Sequence, residues 1–160
     1  IEPIYISDYS DIEISNISYD SKKILPGGLF IALKGRKSDG NAFINDAIAN
    51  GACAILSDSS QTKSYEIPFI LVENARKEMG NISAKFYDYP SSKLKFIAIT
   101  GTNGKTSTAY ITAQLLQYSN QKVGIIGTSG VRINNQLIKN ISFSTFKMPE
   151  SCDLQYILSY

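Results

Sequence analysis

Residues 97–108 read Ile97-Ala98-Ile99-Thr100-Gly101-Thr102-Asn103-Gly104-Lys105-Thr106-Ser107-Thr108, an apolar β-type run that passes through a glycine-punctuated turn into a helical pattern. This order of strand, turn and helix constrains the chain more than any other feature. Glycines let backbone N–H groups turn inward and approach an anion closely, and the following helix aims its positive dipole end at the same place. Lys105 adds a point charge suited to β- and γ-phosphates, and the Thr106 hydroxyl is placed to ligate Mg²⁺. A standard P-loop has a further glycine five positions before the second one, where this chain has Ile99. What stands is the shorter G-x-x-G-K-T, with Gly101 and Gly104 as its glycines. A tight strand-to-helix connection with a solvated Lys105 would use the same residues; the strand before it and the helix after it favour the nucleotide site.

Composition removes most competing chemistry. The 160 residues contain no histidine, which excludes Ser-His-Asp and Cys-His nucleophile systems, a histidine base and the usual zinc sites. Phosphate chemistry survives, because it rests on positioning, backbone N–H groups, Lys and Mg²⁺. With 43% apolar and 19% charged residues the chain can bury a core. Sixteen Lys+Arg against fourteen Asp+Glu leave a net charge of +2, too little for a basic field that grips nucleic acid. Cys53 and Cys152 form no C-x-x-C pair, so neither a metal knuckle nor a disulfide framework is indicated and a reducing, cytoplasmic setting is expected. No apolar run approaches the roughly 20 residues that cross a bilayer, so no membrane partner is expected.

Short β-like runs at 12–14 and 17–19 precede the Pro26-Gly27-Gly28 turn and a buried-strand candidate at 29–33. After the polar loop 34–41, Phe43, Ala47 and Ile48 recur at helical spacing within 42–49, and Asn50-Gly51 closes that helix. Strands are expected at 52–56 and 69–72, and a helix at 74–87 with Asn74 as its N-cap. Tyr89-Pro90-Ser91-Ser92 has linker character and divides the chain into domains at 1–93 and 94–160. Beyond it, a strand at 94–100, the turn at 101–105, a helix at 106–118 and a strand at 123–126 make a βαβ unit, expected to be parallel and right-handed. Residues 131–133 and 137–138 around Asn134-Asn135 read as a hairpin. Residues 153–158 read as a helix still running where the sequence stops, and the first residue is Ile1; a piece of a longer protein is therefore expected.

The run from Thr100 to Thr108 resembles the ATP loop of the Mur ligase and folylpolyglutamate synthetase superfamily. Tyr19-Asp20-Ser21-Lys22, Pro26-Gly27-Gly28-Leu29-Phe30-Ile31-Ala32-Leu33-Lys34-Gly35, Ser38-Asp39-Gly40-Asn41-Ala42-Phe43-Ile44, and Ala47 with Gly51-Ala52 resemble the first domain of two Mur ligases. One adds the third amino acid to UDP-N-acetylmuramoyl-L-alanyl-D-glutamate and the other adds D-Ala-D-Ala. Thr102-Asn103 before Gly104-Lys105, and Phe86-Tyr87 followed by Pro90-Ser91, are similar to the first of these. The resemblance covers nearly the whole chain, yet only the first domain and the start of the second of three. The family's carbamylated lysine, further Mg²⁺ ligands and amino-acid-binding domain all come later. Where the family carries an Asn-Thr-Thr-Pro run, this chain reads Ser144-Thr145-Phe146-Lys147-Met148-Pro149. Either Thr145 stands in for one threonine, with an insertion, or Lys147-Met148 replace them.

The resemblance implies an α/β protein: a small N-terminal α/β UDP-substrate domain, followed by the start of a P-loop, Rossmann-like ATPase domain with a parallel sheet. It implies ATP binding by Gly101, Thr102, Asn103, Gly104, Lys105, Thr106 and Ser107, with Lys105 catalytic and Thr106 on Mg²⁺. Read alone, Arg36-Lys37 is a solvated charge pair and Asp20-Ser21 a turn. The resemblance instead implies a UDP pocket, with Tyr19 and Ser21 on the uridine side, Arg36, Lys37 and Ser38 near the diphosphate, and Thr145 also on the substrate. The implied reaction is γ-phosphoryl transfer from ATP to the substrate carboxylate, giving an acyl phosphate that an amine attacks. ATP and Mg²⁺ are the implied cofactors, UDP-N-acetylmuramoyl-dipeptide and an amino acid the implied partners. The 160 residues alone are expected to lack turnover. The third amino acid is not legible, and the oligomeric state stays open with a monomer as the default. Two alternatives remain, a D-Ala-D-Ala-adding ligase and a nucleotide-binding module without ligase activity.

Overall fold

The computed structural model describes residues 3–7, 11–35, 38–60, 64–138 and 149–160. The chain divides into two compact units, Ile1–Tyr89 and Pro90–Tyr160.

The first unit holds β1 (Tyr5–Ile6), β2 (Asn16–Ser18), β3 (Gly28–Ala32), α1 (Ile44–Ala49), β4 (Ala52–Ser57), β5 (Phe69–Leu71) and α2 (Ala75–Phe86). Its sheet runs β1-β5-β4-β3-β2, with β2 to β5 mutually parallel and β1 antiparallel on one edge. Parallel strands are covered on both faces and so read as continuous apolar runs. The interior strand β3 fits that pattern, with all five residues buried. Phe30 and Ala32 join Ile24, Ile44, Ala47, Ala52, Ile55 and Phe69 in one core, and both α1 and α2 pack against β3. The N-cap expected for α2 is present, Asn74 Oδ1 accepting from Lys77 N at 2.9 Å.

Two expectations in this unit need correction. The helical face of 42–49 is not centred on Phe43, which is 41% exposed, but on Ile44 and Ala47. A 3₁₀ turn at Gly40–Phe43 precedes α1, and its three residues per turn shift the helical phase by one position. The run at 12–14 forms no strand. Pairing of β2 with β3 spans only Asn16–Ser18, since β3 begins at Gly28 after the Pro26-Gly27 turn. Ser15 bonds that turn instead, N to Gly27 O at 3.0 Å and Oγ to Pro26 O at 2.8 Å.

The second unit opens with a 3₁₀ turn at Pro90–Lys93 and continues with α3 (Lys105–Tyr118), β6 (Gly124–Gly127), β7 (Gly130–Ile133), β8 (Gln136–Leu137) and α4 (Ser151–Leu158). The expected hairpin is β7-β8. Asn134 and Asn135 take φ of 46° and 68°, the left-handed pair that a two-residue type I′ turn requires. The expected strand at 94–100 does not form: 95–100 carry no regular secondary structure, and Leu94, Phe96 and Ile97 lie exposed. A strand exists through its partners, and none flanks this run among the described residues. The sheet β6-β7-β8 is antiparallel throughout, so the parallel βαβ pairing expected here is absent from the described residues. The helix expected at 153–158 is present as α4, with Ser159 as its C-cap. Cys53 and Cys152 are both free thiols.

Candidate functional site

The turn before α3 has the backbone that its sequence implies. Gly104 occupies the N-cap position of this 14-residue helix at φ 78° and ψ −6°, left-handed backbone that a side chain would strain. An added Cβ there would meet nothing within 4 Å, so conformation and not crowding demands glycine, and the space above the turn is open. The first intrahelical bond is Thr108 N to Gly104 O at 2.9 Å. The amides of Lys105, Thr106 and Ser107 come before it and have no carbonyl within the helix to meet. All residues from Gly101 to Thr108 are exposed.

Lys105 folds back across this turn. Its Nζ donates to the carbonyl oxygens of Gly101 and of Thr102, the latter at 3.1 Å. An ammonium has three donors, and these two bonds leave one for a ligand while fixing the charge over the turn. Open space, amides at a helix N-terminus and a tethered cation together fit the phosphates of a nucleotide. Thr106, exposed one residue further on, carries a hydroxyl of the kind that could ligate Mg²⁺. No group of three or more His, Cys, Asp or Glu that could hold a metal occurs among the described residues. Mg²⁺ would therefore depend on phosphate oxygens and water for its other ligands, as it commonly does.

A second polar region lies at the carboxyl ends of the parallel strands, where open α/β sheets bind ligands. Tyr19 follows β2 directly, Ser38 lies in the loop after β3, and Ser57 ends β4. The 34–40 loop is drawn tight at its base. Gly35 N bonds Ser38 O and Gly40 N bonds Leu33 O, both at 2.9 Å, and the backbones of Lys34 and Asp39 form an isolated antiparallel β-bridge. Gly40 packs so closely that a Cβ there would lie 2.6 Å from Leu33 N and 2.7 Å from Leu33 O. Asp39 Oδ1 accepts from Asn41 N at 2.9 Å and Asn41 Nδ2 at 2.7 Å. These bonds, the backbone one first, hold the Asp39 carboxyl below the usual carboxylate range. Asn41 Oδ1 in turn accepts from Ser57 Oγ at 2.7 Å, and Ser57 Oγ accepts from Ser59 N at 3.0 Å.

The expected substrate residues take these places. Tyr19 and Ser38 follow adjacent parallel strands at the same, carboxyl, end of the sheet. Ser21 is buried, and its carbonyl accepts from Asn50 Nδ2 at 2.9 Å. Asn50 caps α1 just ahead of β4, so the Ser21 backbone is tied to the connection between α1 and β4. Arg36, Lys37 and Thr145 lie outside the described residues. The bond between Asn41 and Ser57 is not among the sequence expectations. Their signal was present: a polar residue closing the apolar run Ala52–Leu56, and an amide two positions after Asp39.

An α/β fold carrying a glycine turn, a lysine and a helix N-terminus in this order defines a class of phosphate-binding proteins, and comparison with known proteins narrows it to a family. A model described as Mur ligase family, catalytic domain, matches residues 13–87, and one described as Mur ligase middle domain matches residues 99–159. The chain is 43% identical over 149 residues to a UDP-N-acetylmuramoyl-L-alanyl-D-glutamate--2,6-diaminopimelate ligase of Caldanaerobacter subterraneus subsp. tengcongensis, covering 93% of this chain and 30% of that relative. A solved UDP-N-acetylmuramoyl-L-alanyl-D-glutamate--2,6-diaminopimelate ligase is similar at 28% identity with a TM-score of 0.70, over 91% of this chain and 29% of that one. A MurF ligase from Thermotoga maritima in complex with ADP is similar at 28% identity with a TM-score of 0.50, over 67% of this chain and 24% of that one. The chain belongs to the Mur ligase family. It spans about 30% of the length of the curated relatives it matches.

Proposed function

We propose that the protein to which this chain belongs is an ATP-dependent ligase of peptidoglycan precursor synthesis. It adds the third amino acid to UDP-N-acetylmuramoyl-L-Ala-D-Glu. The observation that carries this reading is the Lys105 ammonium, held over an open glycine turn at the amide end of α3. ATP supplies the γ-phosphoryl group that activates the substrate carboxylate as an acyl phosphate. The chain's own residues supply position and charge. The amides of Thr102, Asn103, Gly104 and Lys105 cradle phosphate, Lys105 meets the charge that develops on the moving phosphoryl group, and Thr106 holds Mg²⁺. Ser107 is an early-helix residue that adds a hydrogen bond to the same phosphates. In this proposal residues 1–93 hold the UDP substrate and 94–160 begin the ATP domain.

Diaminopimelate is the first amine to test, because it is in the names of the most similar relatives. The likeness to the solved diaminopimelate ligase also extends over more of the chain than that to the MurF ligase. A cytoplasmic location belongs to the same proposal, since ATP and a nucleotide-linked precursor are both consumed. No helix among the described residues is long and apolar enough to cross a membrane.

The test is ADP release by the protein at its full natural length. We expect turnover with ATP, Mg²⁺, UDP-N-acetylmuramoyl-L-Ala-D-Glu and either diaminopimelate or lysine. Turnover only with the UDP-linked tripeptide and D-Ala-D-Ala would establish the dipeptide-adding reading instead. No ADP release with either set would leave a nucleotide-binding module.

A further inference from the structure

We infer that Tyr110 is a positioning residue: it holds the β6–β7 turn beside the first turn of α3, where the Ser129 hydroxyl donates to the phosphates of a bound nucleotide. The inference rests on the proposed function, in that it takes the start of α3 to hold those phosphates.

Thr128 and Ser129 alone join β6 to β7, and both are exposed. β6 packs on α3, and the hairpin lies along that helix with a side-chain bond toward each end. Asn135 Nδ2 donates to Gln117 Oε1 at 2.9 Å, and the Tyr110 hydroxyl donates to Ser129 Oγ at 3.2 Å. Gln117 and Tyr110 are separated by about 10 Å along the helix axis, so the Asn135 end of the hairpin lies at the carboxyl end of α3 and the turn lies toward its start. Helical side chains lean toward the N-terminus, which puts the Tyr110 hydroxyl over the turn before its own Cα. The residues on that face one turn earlier are Thr106 and Ser107. Ser129 is thereby brought to the face of α3 that begins the proposed phosphate site.

The phenol is itself held. Arg132 Cζ lies over its ring, 5.8 Å from the centroid, and Arg132 Nη1 donates to Asn135 O at 2.9 Å. The cation fixes where the ring stands, and the ring fixes where Ser129 stands. Because Tyr110 donates, the Ser129 hydroxyl keeps its own proton for another acceptor. An anionic phosphate oxygen is a strong acceptor for it. Without the phenol hydroxyl the turn pivots about the Gln117 end of the hairpin, and the order lost must be restored when nucleotide binds.

The experiment is calorimetric titration of the full-length protein with a non-hydrolysable ATP analogue in the presence of Mg²⁺, beside steady-state KM values for ATP and for UDP-N-acetylmuramoyl-dipeptide. Ser129→Ala should weaken binding of the analogue about tenfold. Tyr110→Phe keeps the ring under Arg132 and loses only the hydroxyl; it should weaken binding about threefold. The double variant should bind as Ser129→Ala does, since the phenol acts through that serine. Ser129→Thr, which retains a hydroxyl, should recover most of the affinity. KM for ATP should follow the same order while KM for the UDP substrate stays at its wild-type value, a split that a general loosening of the protein does not produce. Wild-type affinity in Ser129→Ala, a double variant about threefold weaker than Ser129→Ala, or an equal rise in both KM values would each overturn the inference. Failure of the wild-type protein to bind the analogue would overturn the reading of the phosphate turn itself, whereas equal binding by wild type and both single variants would overturn this inference alone.

Discussion

Lys105→Ala should leave the fold in place and lower the ligase rate by a factor on the order of 10² to 10³. Loss of a contact made to charge developing in the transition state costs about 3 to 4 kcal/mol, which is that factor. Stability should change little. The side chain bonds two carbonyls of an exposed turn, where water replaces it, and alanine is a good helix former at the first position of α3. The check is full-length turnover beside thermal unfolding for the two proteins. Wild-type turnover at unchanged stability would reduce the loop to a structural turn. A large drop in melting temperature would make Lys105 a clasp for its loop, with its two carbonyl bonds as its main role.

Phe30→Ala should have the largest effect on stability, a loss of about 3 to 5 kcal/mol. Phe30 is fully buried in the interior strand β3, flanked by β2 and β4 and packed in the core with Ile44, Ala47 and Ile55. Removing the ring forfeits its transfer free energy and leaves a cavity that neighbours on two strands and a helix cannot all close. Against a domain stability of about 5 to 15 kcal/mol this is a large fraction. Urea unfolding of the first unit, followed by tyrosine fluorescence or circular dichroism, measures it. A loss below about 1 kcal/mol would mean that β3 is not the centre of this core.

What the sequence made legible is what short stretches of chain determine by themselves. Gly104 declares a left-handed backbone, Asn74 a helix cap and Asn134-Asn135 a type I′ turn, because each conformation is selected by one or two residues. The order of turn, Lys105 and helix is equally local. Features that depend on partners far along the chain were not legible. Residues 94–100 have a strand's composition, yet pairing decides whether a strand exists. Phe43 and Ile44 exchanged places because a 3₁₀ turn shifted the phase, which apolar spacing alone does not reveal. Asn41 meets Ser57 across 16 positions and Ser21 meets Asn50 across 29. Both contacts exist only once the parallel strands and α1 are in place, so a reading of adjacent residues does not reveal them.

The central claim is that residues 101–106 hold the phosphates of ATP, and the most direct measurement is amide hydrogen exchange of the full-length protein with and without ADP and Mg²⁺. The amides of Thr102 to Ser107 lie in an exposed turn and at an uncapped helix start, so without nucleotide they should exchange fast. With ADP and Mg²⁺ the peptide spanning Gly101 to Thr108 should become the most protected relative to the free protein, and Lys105→Ala should reduce that protection. Protection concentrated elsewhere, with this peptide unchanged at saturating ADP, would contradict the assignment of the ATP site to this turn.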